Sequence, residues 1–279
     1  MITYIISIWE KPIKNKENRV MRTYLWSKII DLAYSVKTMK NMYLDYMHNM
    51  SEKTFLTKYI GKNNYSNLSN DYLFFKSREE KIKFKIMTIF DEEYPTKLKF
   101  SINPPIAFYY IGNIEYLDKF CVAVVGARIA PAKYIKMARN LGVSFSKRGI
   151  IGISGLAKGI DASFHDGTEH SLGILGCGID IVYPSDNEDL FKKVIEKGIL
   201  ISEYPLKTKP LPWHFPRRNR LIAALCDLLI LVYAKEKSGS IITLDFALDL
   251  GKEIFLTREM YKRIDLAGHS IKALKKHLK

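Results

Sequence analysis

Cysteine is scarce in this chain of 279 residues, and the three present, Cys121, Cys177 and Cys226, show no Cys-x-x-Cys spacing. Each sits in or beside an apolar run, which argues for reduced, buried thiols and against a disulfide framework or a zinc site. Acidic residues are also short, 29 Asp and Glu against 44 Lys and Arg, for a formal charge of +15. Gly-x-Gly-x-x-Gly and Gly-x₄-Gly-Lys-Ser/Thr are both missing, so dinucleotide or ATP use has no motif behind it. No Gly-x-Ser-x-Gly elbow frames Ser154 or Ser238. Long apolar stretches are missing too: Met1–Trp9 is short and lacks a basic flank, and Leu221–Tyr233 is broken by Asp227. Neither a signal peptide nor a membrane span is expected, and the chain reads as cytoplasmic. Internal repeats and long low-complexity segments are absent.

The positive charge is concentrated. Residues 119–279 hold 26 Lys and Arg against 16 Asp and Glu, two thirds of the excess. A polyanion is the natural partner for such a surface, and the competing explanation is charge kept only for solubility. The same segment repeatedly runs an apolar strand into a small-residue loop carrying a cation. Val122-Ala-Val-Val-Gly126-Ala-Arg128 is the first case and Ile150-Ile-Gly-Ile-Ser154-Gly155-Leu-Ala-Lys158-Gly159 the second. Glycine admits close backbone approach to an anion, a following helix N-terminus aims unpaired N–H groups at it, and Arg or Lys supplies the countercharge. Gly176-Cys177-Gly178, Phe215-Pro-Arg217-Arg218-Asn219-Arg220 and Ser238-Gly239-Ser240 continue the pattern.

Spacing predicts strands at 121–125, 150–153, 172–175, 199–201, 228–233 and 253–256. Helices are predicted near 133–147, 159–170, 187–197, 219–225, 240–250 and 270–278. Such alternation implies an α/β fold, a Rossmann-like, mainly parallel sheet flanked by helices, with its loops on one rim. Residues 1–85 read as a small helical N-terminal domain and 86–279 as the main domain, in which 86–118 form an extended connector ending in a short strand.

Asp161 and His165 stand four apart on a predicted helix, but no third ligand at a telling spacing makes them a metal or acid–base pair. Cys177 lacks a base fixed by sequence, so a buried thiol at a tight turn is the simpler reading. Trp213, His214 and Phe215 precede three arginines and place stackable rings beside cations, a combination suited to single-stranded nucleic acid. Filling of the core under a loop is the alternative for Trp213 and Phe215.

Taken in order, Val122–Arg128, Ser154–Asp161 with His165, Gly176–Asp180 with Tyr183-Pro184, Ser202-Glu203, Phe215–Arg220 and Ser238–Thr243 with Ala247 resemble the DNA-processing protein A family, DprA or Smf. The resemblance runs from about residue 94 to 256. It implies an extended Rossmann-like domain that binds single-stranded DNA, forms a homodimer and helps place RecA recombinase on incoming DNA during natural transformation. It also implies a protein that is not an enzyme and needs no cofactor. Carried over by motif position, it implies DNA contacts by Gly126, Arg128, Ser154, Gly155, Lys158, Phe215, Arg218, Asn219 and Arg220. The chain departs from the family pattern at Ala130-Pro131, at Tyr134 and Ile135, at Tyr233-Ala234 in place of Glu-Ala, and at Arg258-Glu259 in place of Pro-Gly. The apolar residues Leu244, Ala247, Leu248, Ile271, Leu274 and Leu278 are expected to feed a dimer surface. A Rossmann-type enzyme or sensor for a small nucleotide, using the same loops, is the competing function.

Overall fold

Residues 16–33, 36–60, 68–235 and 238–264 are described by a computed structural model. Helices α1 (Lys16–Ala33), α2 (Val36–Met47), α3 (Glu52–Ile60) and α4 (Leu68–Ile82) come first, followed by strand β1 (Lys85–Thr88), the short helix α5 (Thr96–Lys99) and β2 (Ala107–Gly112). From there strands and helices alternate: β3 (Cys121–Gly126), α6 (Ala132–Ser146), β4 (Ile151–Ser154), α7 (Ile160–Gly167), β5 (Ser171–Ile174), α8 (Glu188–Lys197) and β6 (Ile199–Ser202). The chain continues through α9 (His214–Leu225), β7 (Leu228–Tyr233), α10 (Gly239–Asp249), β8 (Glu253–Leu256) and α11 (Arg258–Ile264).

The eight strands form one sheet in the order β1-β2-β6-β5-β4-β3-β7-β8. Strands β3 to β8 run parallel, and the antiparallel strands β1 and β2 extend the β6 edge. Each residue of β4, β5 and β6 is buried, as expected of strands covered by helices on both faces. All six strands expected after residue 120 are present, their ends within a residue of expectation. The segment expected as a connector with one strand contributes two. In β1 only Met87 and Thr88 are buried, which leaves too short an apolar signal to read.

Two helix ends also differ. Helix α9 starts at His214, five residues before expectation, with Pro216 in its first turn, where a missing N–H costs no helical hydrogen bond. Helix α7 stops at Gly167: Thr168 donates its hydroxyl to the His165 carbonyl and leaves the helix in an extended conformation.

The N-terminal helices share a continuous apolar core with the sheet. Trp26 stacks on Phe55, and Phe75, Phe84 and Tyr109 form an edge-to-face chain that reaches β2. Arg22 joins Glu52 to Asp91 of the β1–α5 loop at 2.8 and 2.7 Å. In α10, Leu244 and Ala247 are buried inside the molecule, where α10 packs on α9, so neither is available to the dimer surface expected of them, and Leu248 is half-buried. Ile271, Leu274 and Leu278, with the helix expected at 270–278, lie outside the described residues. Among the described residues no helix is long and apolar enough to cross a membrane.

Candidate nucleic-acid interface

Strand β3 is the point at which the sheet order reverses: β4, β5 and β6 follow on one side and β7 and β8 on the other. Loops leaving such a switch point diverge and open a crevice at the carboxyl ends of the strands. A cleft of about 770 Å³ occupies this position. Gly126, Arg128, Tyr183, Phe215, Arg218 and Asn219 line it together with the start of α10, Ser238 to Ser240.

The rim is set by close backbone approach. A Cβ at Gly126 would lie 2.6 Å from Ile160 Cγ1, so glycine lets α7 begin directly against β3. Ala127 donates its N–H to the Tyr233 carbonyl at 2.7 Å, and Gly159, at φ +78°, brings the second loop onto the carbonyls of Ala127 and Arg128. Arg128 is thereby carried to the surface, where its guanidinium lies 4.8 Å from the centre of the Phe215 ring. Phe215 rests on Gly176, where a Cβ would approach its ring to 2.9 Å, and Tyr183 lies 5.7 Å from it at 32°. Trp213, 63% exposed, stands just before the same helix turn.

Beneath this shelf the polar groups are held. Arg218 is only 3% exposed, and its Nη1 donates to the carbonyls of Gly155, at 2.8 Å, and Ile174, while Nε donates to Asn219 Oδ1 at 3.0 Å. Burial lowers the pKa of this guanidinium, and nearby Asp161 works against that shift. Asp161 is buried in turn, which raises its carboxyl pKa, while Arg218 and the Gly155 N–H, at 3.2 Å, hold it down. Asn219 donates Nδ2 to the Gly239 carbonyl at 3.0 Å and so links the arginine-rich turn to the first turn of α10. The Ser238 hydroxyl beside it is buried and has no hydrogen-bond partner among the described residues.

Of the nine residues implied as DNA contacts, Gly126, Arg128, Phe215, Arg218 and Asn219 line the cleft. The others are placed differently. Ser154 is fully buried and its hydroxyl donates to the Val124 carbonyl at 2.7 Å, tying β4 to β3 rather than facing a ligand. Gly155 lies behind Arg218, where a Cβ would meet Nη2 at 2.5 Å. Lys158 is exposed outside the cleft and paired with Asp186. Arg220 turns inward to Glu203, because a charge at that buried position requires a counterion.

Tyr183, Lys235, Ser240 and Thr243 line the cleft without having been singled out as contacts. Only the Tyr183-Pro184 and Ser238–Thr243 motifs pointed near them. His165 is buried, its Nδ1 2.9 Å from Ser171 Oγ, and burial pushes its pKa down to about 3. The Cys177 thiol is pushed up to about 12 by burial, far from a thiolate at neutral pH. Among the described residues no group of three His, Cys, Asp or Glu could hold a metal ion.

Residues 85–274 match the family described as DNA recombination-mediator protein A. The chain belongs to this family. Protein Smf of Synechocystis is 32% identical over 208 residues, 72% of this chain and 51% of that protein. The chain thus spans about half the length of that relative. The crystal structure of DNA processing protein A from Streptococcus pneumoniae superposes with a TM-score of 0.63 at 29% identity, covering 78% of this chain and 80% of the other. DNA processing protein A from Helicobacter pylori, described for its single-stranded DNA binding mode, gives a TM-score of 0.59 at 27% identity, over 62% and 80%. The family match begins at β1, so α1 to α4 precede the matched region.

Proposed function

We propose that the chain binds single-stranded DNA non-specifically in the cleft at the β3–β7 switch point, without catalysing a reaction. One observation carries the reading: an exposed guanidinium lies over the Phe215 ring, with Tyr183 beside that ring and Trp213 exposed nearby. Unpaired bases have free faces to stack on such rings while a cation meets the phosphates, whereas a duplex keeps its bases stacked inside. The Helicobacter pylori relative, with its single-stranded DNA binding mode, supports the same reading. The further steps implied by the family resemblance belong to this proposal: a homodimer in the cytoplasm that protects incoming DNA and delivers it to RecA during natural transformation.

Titration of a labelled oligo-dT against a blunt duplex of equal length tests the central claim. Single strands are expected to bind more tightly, with log K falling against log salt by roughly 0.7 per phosphate neutralised. Equal affinity for the duplex refutes it. A mononucleotide in excess that displaced the oligonucleotide would favour a small-nucleotide site instead, since a volume of about 770 Å³ also suits a small ligand. Sedimentation with and without long oligonucleotide tests the dimer, and co-assembly with purified RecA on single strands tests the delivery.

A further inference from the structure

We propose that Glu203 is a positioning residue for this cleft: through Arg217 and Arg220 it fixes the first turn of α9, which presents Trp213 and Phe215, and through Arg217 it ties that turn to the end of α1. The inference rests on the single-stranded DNA reading above.

Glu203 follows directly on β6, and its side chain is only 3% exposed. Arg220 Nη2 donates to Oε2, and Arg217 Nε lies 3.4 Å from Oε1, so one carboxylate faces two guanidinium groups one helical turn apart. A buried carboxylate between two cations is strongly held, because removing either kind of partner leaves an uncompensated charge away from water. The neighbouring residues grip the same turn. Tyr204 donates its hydroxyl to the His214 carbonyl at 2.8 Å, its ring lies 4.5 Å from the His214 ring, and the Arg217 guanidinium stands 5.8 Å over it. His214 Nδ1 lies 3.1 Å from the Gly176 carbonyl, in the loop that also supports Phe215.

Arg217 reaches further. Its Nη2 donates to the carbonyl of Ala33, the last residue of α1, at 3.4 Å. A carbonyl at a helix C-terminus has no partner within its own helix, and a cation suits that end of the dipole. The helical region outside the family match therefore braces the wall of the cleft through one arginine of the family motif. Arg220 is 5% exposed and engaged with a buried carboxylate. Neither geometry leaves room for a phosphate between cation and carboxylate, so these two arginines act on DNA through the placement of Trp213 and Phe215.

The test uses the full chain with Glu203→Gln, Arg217→Ala and, to assign the emission of the exposed tryptophan, Trp213→Phe. Binding of fluorescein-labelled oligo-dT is measured by anisotropy across a salt series, and tryptophan quenching is read at saturation. Glu203→Gln and Arg217→Ala are expected to weaken binding on the order of tenfold at every salt concentration. They keep the wild-type salt slope and lose part of the Trp213 quench. A slope flattened by roughly 0.7 in Arg217→Ala overturns the inference, because Arg217 would then itself meet a phosphate. Wild-type affinity and quench in a folded variant also overturn it, since a role confined to stability moves the melting temperature alone. If Glu203→Gln fails to fold, Arg217→Ala decides. Iodide quenching of Trp213 in DNA-free protein provides an independent arm: a changed Trp213 component in Arg217→Ala supports positioning, and an unchanged one counts against it. Should the wild type fail to bind oligo-dT, the DNA reading falls while this arm still judges the brace.

Discussion

Replacing Arg128 by Ala removes the exposed cation that lies over Phe215, 4.8 Å from the ring centre, without touching the core. The contact to phosphate should disappear, whereas the cation over the ring, worth about 0.5–1 kcal/mol, is already made without DNA and bears on the placement of the group, not directly on affinity. A charge-assisted hydrogen bond to phosphate is worth about 1.5–3 kcal/mol. The exposed setting holds the loss near the lower end, about 2 kcal/mol, or roughly thirtyfold in affinity. Salt dependence identifies the phosphate contact. One phosphate contact contributes roughly 0.7 to the slope, so over a fourfold rise in salt the variant should lose about 2.5-fold less affinity than wild type. Arg128→Lys keeps the point charge and so keeps the slope, but it gives up the planar group that lies over Phe215 and should fall between the two. The assay is fluorescence anisotropy with oligo-dT at low and high salt. Affinity within twofold of wild type and an unaltered slope, in folded Arg128→Ala, would refute the placement of phosphate at this rim.

Lys158 is held by Asp186 on the surface, so Asp186→Asn should free that cation and tighten oligo-dT binding severalfold, and weaker or unchanged binding in the same anisotropy assay would place Lys158 off the DNA path. His165 has a folded pKa of about 3 against 6.5 unperturbed. The unfolded chain therefore binds the extra proton, and its neutral form supports the fold fully above pH 6.5 and progressively less down to about 3. Denaturant titrations across this window should show stability falling by up to about 1.4 kcal/mol per pH unit from this group, and His165→Gln should remove that component; an identical pH slope in the variant would refute it. Gly155→Ala puts a methyl 2.5 Å from Nη2 of the Arg218 guanidinium, which is held through Nη1 and Nε, and overpacking of this kind costs about 1–3 kcal/mol. An unshifted urea midpoint would mean that Arg218 moves freely.

Strands β3 to β6 are legible because burial on both faces writes them as apolar runs, as in Ile199-Leu-Ile-Ser202, and the more exposed edge strand β8 still carries three apolar residues in a row, Ile254-Phe-Leu256. Strand β1 is not, since Lys85 and Thr88 leave only Ile86 and Met87 between them. The glycine loops marked the right rim for a physical reason: backbone elements meet there without room for a Cβ, as at Gly126 and Gly176. Side-chain direction lay beyond the sequence. Arg217, Arg218 and Arg220 share one motif, yet burial turns Arg220 to Glu203 and Arg218 to strand-end carbonyls, and only the fold decides which carboxylate or carbonyl each meets. Tyr183 escaped notice as a stacking ring because 32 residues separate it from Phe215, and the loop after β5 brings them together.

The departures from the family pattern at Tyr134, Tyr233 and Glu259 meet at one place. Tyr134 stacks on Tyr233 with ring centres 4.9 Å apart and planes 24° apart, and its hydroxyl donates to Glu259. Lys133 also reaches Glu259 at 3.3 Å. The late strand thus carries a ring where the pattern has a carboxylate, while a carboxylate arrives from α11 to receive the partner hydroxyl. Met260 completes the join by accepting the Ala234 N–H at its sulfur, 3.0 Å away. Helix α11 is consequently fastened to α6 and to the end of β7, the strand whose last carbonyl also receives the Ala127 N–H. Arg128 is the next residue. The substitutions that set this chain apart from the family pattern therefore support the backbone that presents the exposed cation of the cleft, so a change at Glu259 acts on the same rim as a change at Arg128, through the fold instead of through charge.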